Sequence, residues 1–93
     1  MNPLNRLQQL MLITAEECGE LTQRCSKILR RYTHKEQIEE DQRLKFMEEA
    51  GDVYCMIQLL IDEGIVTQTE LEDRAAYKRT KLQIWSNLFD KKD

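Results

Sequence analysis

Largely apolar residues recur at steps of three and four along the first third of the chain. They are Leu4, Leu7, Met11, Thr14, Cys18, Leu21, Cys25, Ile28 and Tyr32. Because an α-helix has about 3.6 residues per turn, these side chains share one face, and that face must be buried against a partner. The pattern predicts a first helix over residues 2–31, with Asn2 as its N-cap and Pro3 at the first helical position, where the missing N–H costs no hydrogen bond.

A second helical pattern follows a turn that we expect at residues 32–34. The second helix is predicted to start near Lys35 or Glu36 and to end at Glu63. Its opening stretch is almost wholly polar, so that stretch is either a solvated helical turn or a loop. The apolar pattern begins at Leu44 and indicates where this helix becomes amphipathic.

Helix-end signals separate the second helix from a third. Gly64 is suited to the left-handed backbone conformation that ends many helices. A capping box that would start the third helix fits at Thr67 with Glu70, and it fits equally well at Thr69 with Glu72. Apolar residues at helical spacing then continue up to a charged tail.

Three long helices with short connections predict an all-α fold, an antiparallel helical bundle with room for a short fourth helix. Residues 1–93 carry no linker or repeat and are expected to form a single domain. Three such helices leave one side of the apolar face thinly covered. We therefore expect the bundle to be completed by oligomerisation, as a homodimer or a homotetramer.

Composition narrows the possible partners. The net charge of −3 argues against nucleic-acid binding through bulk electrostatics. No apolar run is long enough to span a bilayer, and no basic-then-apolar leader opens the sequence, so we expect a cytoplasmic protein without a membrane partner. The three cysteines lack CxxC spacing, which argues against disulfides or zinc and favours reduced thiols in the core.

Two pairs of carboxylates have the spacing of helix neighbours. Glu17 and Glu20 are three residues apart, and so are Glu49 and Asp52. Like charges this close repel by a few tenths of a kcal/mol per pair on an exposed helix, and a hard divalent cation such as Mg²⁺ would turn that repulsion into binding. Spacing alone also fits a solvated helix surface, because glutamate is common there.

Neighbouring residues favour a shared site. Glu17 and Glu20 border the apolar face of the first helix, and Glu49 and Asp52 flank small residues of the second. Among these small residues, Gly51 would permit close approach of the two helices. Both acidic pairs are therefore expected to face one groove.

The two acidic segments, EECGE at residues 16–20 and EAGD at residues 49–52, stand in a fixed order. Together they resemble the EExxE…ExxD signature of the all-α NTP pyrophosphatases, and most of all the MazG-like nucleotide pyrophosphohydrolases in the small single-domain form found in phages. The resemblance extends over about residues 10–82. The double motif is fairly specific, whereas either half alone would not be.

The resemblance implies an activity and a cofactor. Members of this family hydrolyse a nucleoside triphosphate between its α and β phosphates, which yields a monophosphate and pyrophosphate. The implied ligands of Mg²⁺, for which Mn²⁺ can substitute, are Glu17, Glu20, Glu49 and Asp52. Glu16 would ligate the metal or orient a metal-bound water, so that Glu16 and Glu17 are the expected catalytic carboxylates.

Basic residues are expected to meet the phosphates of the substrate. The candidates are Lys27, Arg31, Lys78 and Lys81, of which the last two match late lysines of the family. Each could instead be an ordinary surface charge.

Two alternatives stay open on the sequence alone. A phosphoribosyl-ATP pyrophosphatase would share the fold and similar motifs. A non-catalytic helical interaction module would carry the same carboxylates as surface charge.

Overall fold

The computed structural model describes residues 3–90, which are mostly helical and contain no strand. Three α-helices follow one another, α1 at Arg6–Arg31, α2 at Glu40–Asp62 and α3 at Gln68–Trp85. The all-α class is confirmed. The remaining helical element is a single 3-10 turn at Lys35–Gln37, so a short fourth α-helix is not seen within the described residues.

The first helix begins later than the sequence pattern predicted. Asn5 is its N-cap, because the Asn5 side chain accepts a hydrogen bond from the backbone N–H of Gln8 at 2.8 Å. The Gln8 side chain in turn accepts from the backbone N–H of Asn5 at 3.0 Å, which completes a capping box. The prediction of Asn2 as N-cap was therefore wrong, although Asn2 itself lies outside the described residues; Pro3 precedes the helix.

The connection between α1 and α2 is longer than the predicted turn. The side-chain oxygen of Gln37 accepts hydrogen bonds from the backbone N–H groups of Thr33 and His34, at 2.8 and 3.1 Å. The Tyr32 hydroxyl donates to a carboxylate oxygen of Glu39 at 2.9 Å. These bonds hold a non-helical segment that ends at Glu39. The first part of the polar stretch is therefore a loop with one 3-10 turn, and its last part is the start of α2. The predicted start of the second helix at Lys35 or Glu36 was wrong.

The α1 and α2 helices pack side by side in opposite directions. Near one end of the pair, Arg6 Nε lies 2.8 Å from Glu63 Oε1. Toward the other end, Arg24 Nη1 donates to Gln42 Oε1 at 3.5 Å. Residue numbers on one helix thus rise as those on the facing helix fall, which fixes the register of every pair between them.

The core of a single chain is very small. Among the described residues only Leu10, Met56 and Gln42 are buried, at 7%, 7% and 8% exposed. All three cysteines are free and exposed, so the prediction of core thiols was wrong for the isolated chain. The reason is that α2 covers only part of the apolar face of α1, and α3 does not cover the rest.

The turn after α2 matches the sequence signals. Gly64 has a φ of +73°, a conformation that residues with a Cβ rarely adopt. The backbone N–H of Ile65 donates to the carbonyl of Leu60, and that of Gly64 to the carbonyl of Ile61, the two bonds of a Schellman motif. The capping box of α3 then begins at Thr67 rather than at Thr69, with Thr67 Oγ1 accepting from the backbone N–H of Glu70 at 3.1 Å.

The molecule is not compact, because the third helix packs little against the other two. This third helix does not pack along α1, and an open groove separates its first half from the end of α2. The radius of gyration is 16.4 Å, against about 12.3 Å for a compact domain of this length. The accessible surface is 7898 Å², whereas a compact monomer of this mass exposes about 5,700 Å². Within residues 3–90, no helix is both long and apolar enough to cross a membrane.

The two possible caps of α3 can be told apart by substitution. Thr67→Ala removes the side-chain acceptor at the helix start and should lower the free energy of unfolding of α3 by about 1 kcal/mol. The measurement is hydrogen exchange of the α3 amides, supported by thermal unfolding followed by circular dichroism. Thr69→Ala is the matched control, since Thr69 lies inside the helix and should change the same free energy far less. Equal effects of the two substitutions would contradict the assignment.

Candidate metal centre

Three carboxylates from two helices converge at the middle of the α1–α2 pair. Glu17, Glu20 and Glu49 each offer one oxygen, and these oxygens all lie within 4.8 Å of one another. Glu17 and Glu49 are partly buried, whereas Glu20 is exposed. We call these three residues the acidic cluster.

Helix geometry explains why the acidic cluster forms. Glu17 and Glu20 are three residues apart on α1 and so share one face. The antiparallel register sets Glu49 of α2 opposite that face. Gly51 plays no part in the approach, because a Cβ added there would meet nothing within 4 Å. The expectation that Gly51 permits close helix contact was therefore wrong.

The electrostatics of Glu17 reflect both burial and crowding. Burial raises the pKa of the Glu17 carboxyl first, and the charges of Glu20, Asp52, Glu49 and Glu16 raise it further. One oxygen, Glu17 Oε2, is shielded from solvent and has no hydrogen-bond partner. A shielded carboxylate oxygen without a partner raises the free energy of the folded chain, and a proton or a cation at this atom would lower it.

Glu49 has a similar environment with one difference. Burial raises the pKa of its carboxyl, and the neighbouring carboxylates of Glu20 and Asp52 raise it further. The positive charge of Arg24 acts in the opposite direction. Glu49 is therefore the carboxylate of the acidic cluster that is influenced by a nearby cation of the chain.

The dimensions of the acidic cluster suit a divalent cation. Oxygens bound to Mg²⁺ lie about 2.0–2.1 Å from the ion, so two ligands on opposite sides are about 4.2 Å apart. The carboxylate oxygens are within 4.8 Å of each other, and small side-chain rotations would bring them into that range. Carboxylates are also the ligand type that hard cations prefer. The donor set therefore fits the metal that the sequence implied.

The remaining acidic candidates lie around the cluster. Asp52 is exposed, yet it is near enough for its charge to raise the pKa of both Glu17 and Glu49. Glu16 is exposed and acts on Glu17 in the same way. Glu48 is exposed and is not among the charges that raise the pKa of Glu17 or Glu49. It is therefore the acidic neighbour that does not act on the cluster.

The basic candidates do not contact the acidic cluster in a single chain. Arg31 donates to Glu39 at 3.0 Å, and Lys27 is exposed. On α3, Lys78 Nζ lies 5.0 Å from the centre of the Trp85 ring, and Lys81 Nζ lies 5.7 Å from the centre of the Tyr77 ring. None of the four forms an ion pair with Glu17, Glu20 or Glu49 among the described residues.

Two residues beside the site were not among the predicted site residues. Arg24 follows Glu20 by four positions, and that spacing was a signal that it belongs to the same face. Gln42, which bonds to Arg24, lies in the polar opening of the predicted second helix and carried no signal of its own.

Comparisons with known proteins identify no family for this chain. No family model matches it, and neither a curated protein nor a solved structure does. The likeness to the MazG-like signature therefore stays a hypothesis drawn from the two acidic motifs.

The raised pKa values of Glu17 and Glu49 predict how stability depends on pH. A carboxyl whose pKa is higher in the folded chain than its ordinary 4.5 destabilises the fold when ionised. Stability from these groups should therefore increase as the pH falls through the raised pKa of the folded chain towards the ordinary 4.5, and should level off below that value. The lowered pKa values of Glu40 and Glu63 act in the opposite direction, but only at lower pH. Thermal unfolding without divalent metal measures this trend.

A substitution at Glu17 separates this pH dependence from the titration of the other carboxyl groups. Glu17→Gln should raise the melting temperature at neutral pH and flatten its pH dependence, because the buried charge is gone. Glu48→Gln, at an exposed neighbour, is the control and should do neither. A melting temperature that falls in the Glu17→Gln variant at neutral pH would contradict the electrostatic assignment.

Proposed function

We propose that this protein is a Mg²⁺-dependent nucleoside triphosphate pyrophosphohydrolase, which cleaves its substrate between the α and β phosphates. The observation that carries the proposal is the convergence of Glu17, Glu20 and Glu49 from two helices around an unpartnered carboxylate oxygen. The order and spacing of the two acidic motifs support it independently. A cytoplasmic location belongs to the same proposal.

The carboxylates divide into holding and positioning roles. Glu17, Glu20 and Glu49 would hold the cation, and Asp52 would complete the set from the rim of the cluster. A bound Mg²⁺ would supply positive charge against the triphosphate and Lewis acidity for the attacking water. Glu16, exposed beside Glu17, would accept a hydrogen bond from that water and orient it towards the α-phosphorus.

The bond changes balance without further reactants. The water oxygen forms a bond to the α-phosphorus while the bond from that phosphorus to the bridging oxygen breaks. Pyrophosphate leaves with the bridging oxygen, and the proton released from water passes to solvent. The protein therefore contributes positioning and electrostatic stabilisation rather than a covalent intermediate.

The basic residues differ in how they could reach a phosphate. Lys27 is seven residues beyond Glu20, about 10 Å along the helix, a distance that a triphosphate and a lysine side chain can span. Arg31 is further away and already pairs with Glu39. Lys78 and Lys81 belong to α3, which does not pack along α1 in a single chain. Their role in substrate binding depends on how α3 is placed in an assembly.

Self-association is part of the proposal, as a homodimer or homotetramer that completes a helical bundle. Each chain exposes about 2,200 Å² more than a compact monomer would, and Leu29, Ile84 and Trp85 are 82%, 78% and 62% exposed. Burying that excess on two chains would give an interface in the size range of obligate dimers. Closed symmetry would also cover both copies of the exposed apolar faces.

Light scattering after size-exclusion chromatography tests the assembly. The expected mass is at least twice the 11.1 kDa of one chain, and the Trp85 fluorescence maximum should shift to longer wavelength upon dilution as the aromatic ring becomes exposed. A monomeric mass at micromolar concentration, with an unchanged spectrum, would contradict it.

Catalysis is tested by incubating the purified protein with Mg²⁺ and each common ribonucleoside and deoxyribonucleoside triphosphate, and by measuring monophosphate and pyrophosphate. At least one substrate should be cleaved. Glu49→Gln should lower the rate on the order of 100-fold or more, because the cation loses its position. Glu48→Gln, the adjacent exposed carboxylate, should leave the rate near that of the unmodified protein.

The outcomes distinguish the rival functions. Hydrolysis of phosphoribosyl-ATP alone would assign the related pyrophosphatase instead. No hydrolysis, together with a melting temperature that does not respond to Mg²⁺ or Mn²⁺, would favour a non-catalytic interaction module. Circular dichroism of each variant confirms that a loss of rate is not a loss of fold.

A further inference from the structure

Arg24 lies at the edge of the acidic cluster but pairs with none of its carboxylates. It follows Glu20 by four residues and Glu17 by seven, so all three share one face of α1. Glutamate four positions before arginine is a favourable spacing for an ion pair. Yet Arg24 forms no ion pair among residues 3–90.

The partner that Arg24 does have is neutral. Its Nη1 donates to the side-chain oxygen of Gln42 at 3.5 Å, and Gln42 is 8% exposed, the most buried polar residue described. The amide nitrogen of Gln42 donates to Asp41 Oδ2 at 3.4 Å, which orients the amide. Gln42 precedes Glu49 by two helical turns, so it and the metal-ligand candidate share one face of α2.

The guanidinium of Arg24 is left with unused donors and an unneutralised charge. Its Nε is shielded from solvent and has no hydrogen-bond partner. Its charge acts on Glu49 without a direct bond, since it lowers the pKa that burial raises. An arginine in this state is able to accept an anionic partner that the chain itself does not provide.

We propose that Gln42 holds Arg24 away from the carboxylates and that the guanidinium binds phosphate oxygens of the substrate. The acidic cluster would hold the cation that accompanies the same phosphates. This inference rests on the proposed function. Arg24 is the phosphate-binding residue, and Gln42 is a positioning residue that acts through it. A neutral amide suits that task because it orients the guanidinium without cancelling its charge.

The arrangement has a second consequence for the cation. Without Gln42, Arg24 is free to fold back onto Glu20 and Glu49, where its charge competes with a divalent ion. Removing the arginine and removing the glutamine should therefore change metal affinity in opposite directions. A purely structural bond between α1 and α2 would not produce that difference in sign.

The test measures binding of two probes, Mn²⁺ alone and inorganic tripolyphosphate with Mn²⁺ present, by electron paramagnetic resonance and calorimetry. Arg24→Gln should tighten Mn²⁺ binding, because a nearby positive charge is removed, and should weaken tripolyphosphate binding about tenfold or more. Arg24→Lys, which keeps the charge but loses the planar fork, should lie between. In hydrolysis, Arg24→Gln should raise KM more than it lowers kcat.

Gln42→Met retains the length of the side chain and removes the amide. It should weaken both Mn²⁺ and tripolyphosphate. Combining it with Arg24→Gln should restore Mn²⁺ affinity, because the competing cation is gone. Arg43→Gln is the matched control for the loss of one positive charge, since Arg43 pairs with Glu40 on an exposed surface; it should change neither affinity by more than about twofold.

Each result decides the matter. This inference would be overturned if tripolyphosphate affinity were unchanged in Arg24→Gln, or if Mn²⁺ affinity fell equally in Arg24→Gln and Gln42→Met. The proposed function would stay intact in either case, provided that the unmodified protein binds Mn²⁺ and hydrolyses a nucleoside triphosphate. Absence of Mn²⁺ binding by the unmodified protein would overturn the proposed function and, with it, this inference.

Discussion

Antiparallel packing of α1 against α2 is the constraint on which the rest of the molecule depends. It supplies the two most buried apolar side chains, Leu10 and Met56, and it sets which residues of one helix face which residues of the other. The same register that buries this small core brings Glu17 and Glu20 against Glu49. A stabilising hydrophobic contact and a destabilising group of like charges are therefore products of a single alignment, and a shift along the pair would remove both.

That coupling explains how a small chain can maintain an unfavourable site. The cluster sits between the Arg6–Glu63 ion pair at one end of the helix pair and the Arg24–Gln42 hydrogen bond towards the other. Contacts on both sides limit how far the carboxylates can separate to relieve their repulsion. Partly buried charge of one sign, held in place by its surroundings, is common where proteins bind cations or perform acid–base chemistry.

The sequence predicted the elements better than it predicted their ends. Helical periodicity located three helices, and Gly64 correctly marked the end of the second. The boundaries that failed depend on side-chain bonds: Asn5 rather than Asn2 finds a partner at the right spacing, and Gln37 captures the N–H groups of Thr33 and His34 that a helix would have used. The pairing of Arg24 with Gln42 could not be predicted, because it requires the alignment of two helices that local patterns do not specify.

The unpartnered oxygen of Glu17 connects cation binding at the site with proton binding. A carboxylate that is shielded and surrounded by like charges holds a proton more tightly than a free glutamate does. A cation that entered the cluster would favour the ionised form of these carboxyls, so cation binding and proton binding would oppose one another. Cation binding at the cluster would thereby depend on the acidity of its surroundings, without any moving part in the fold.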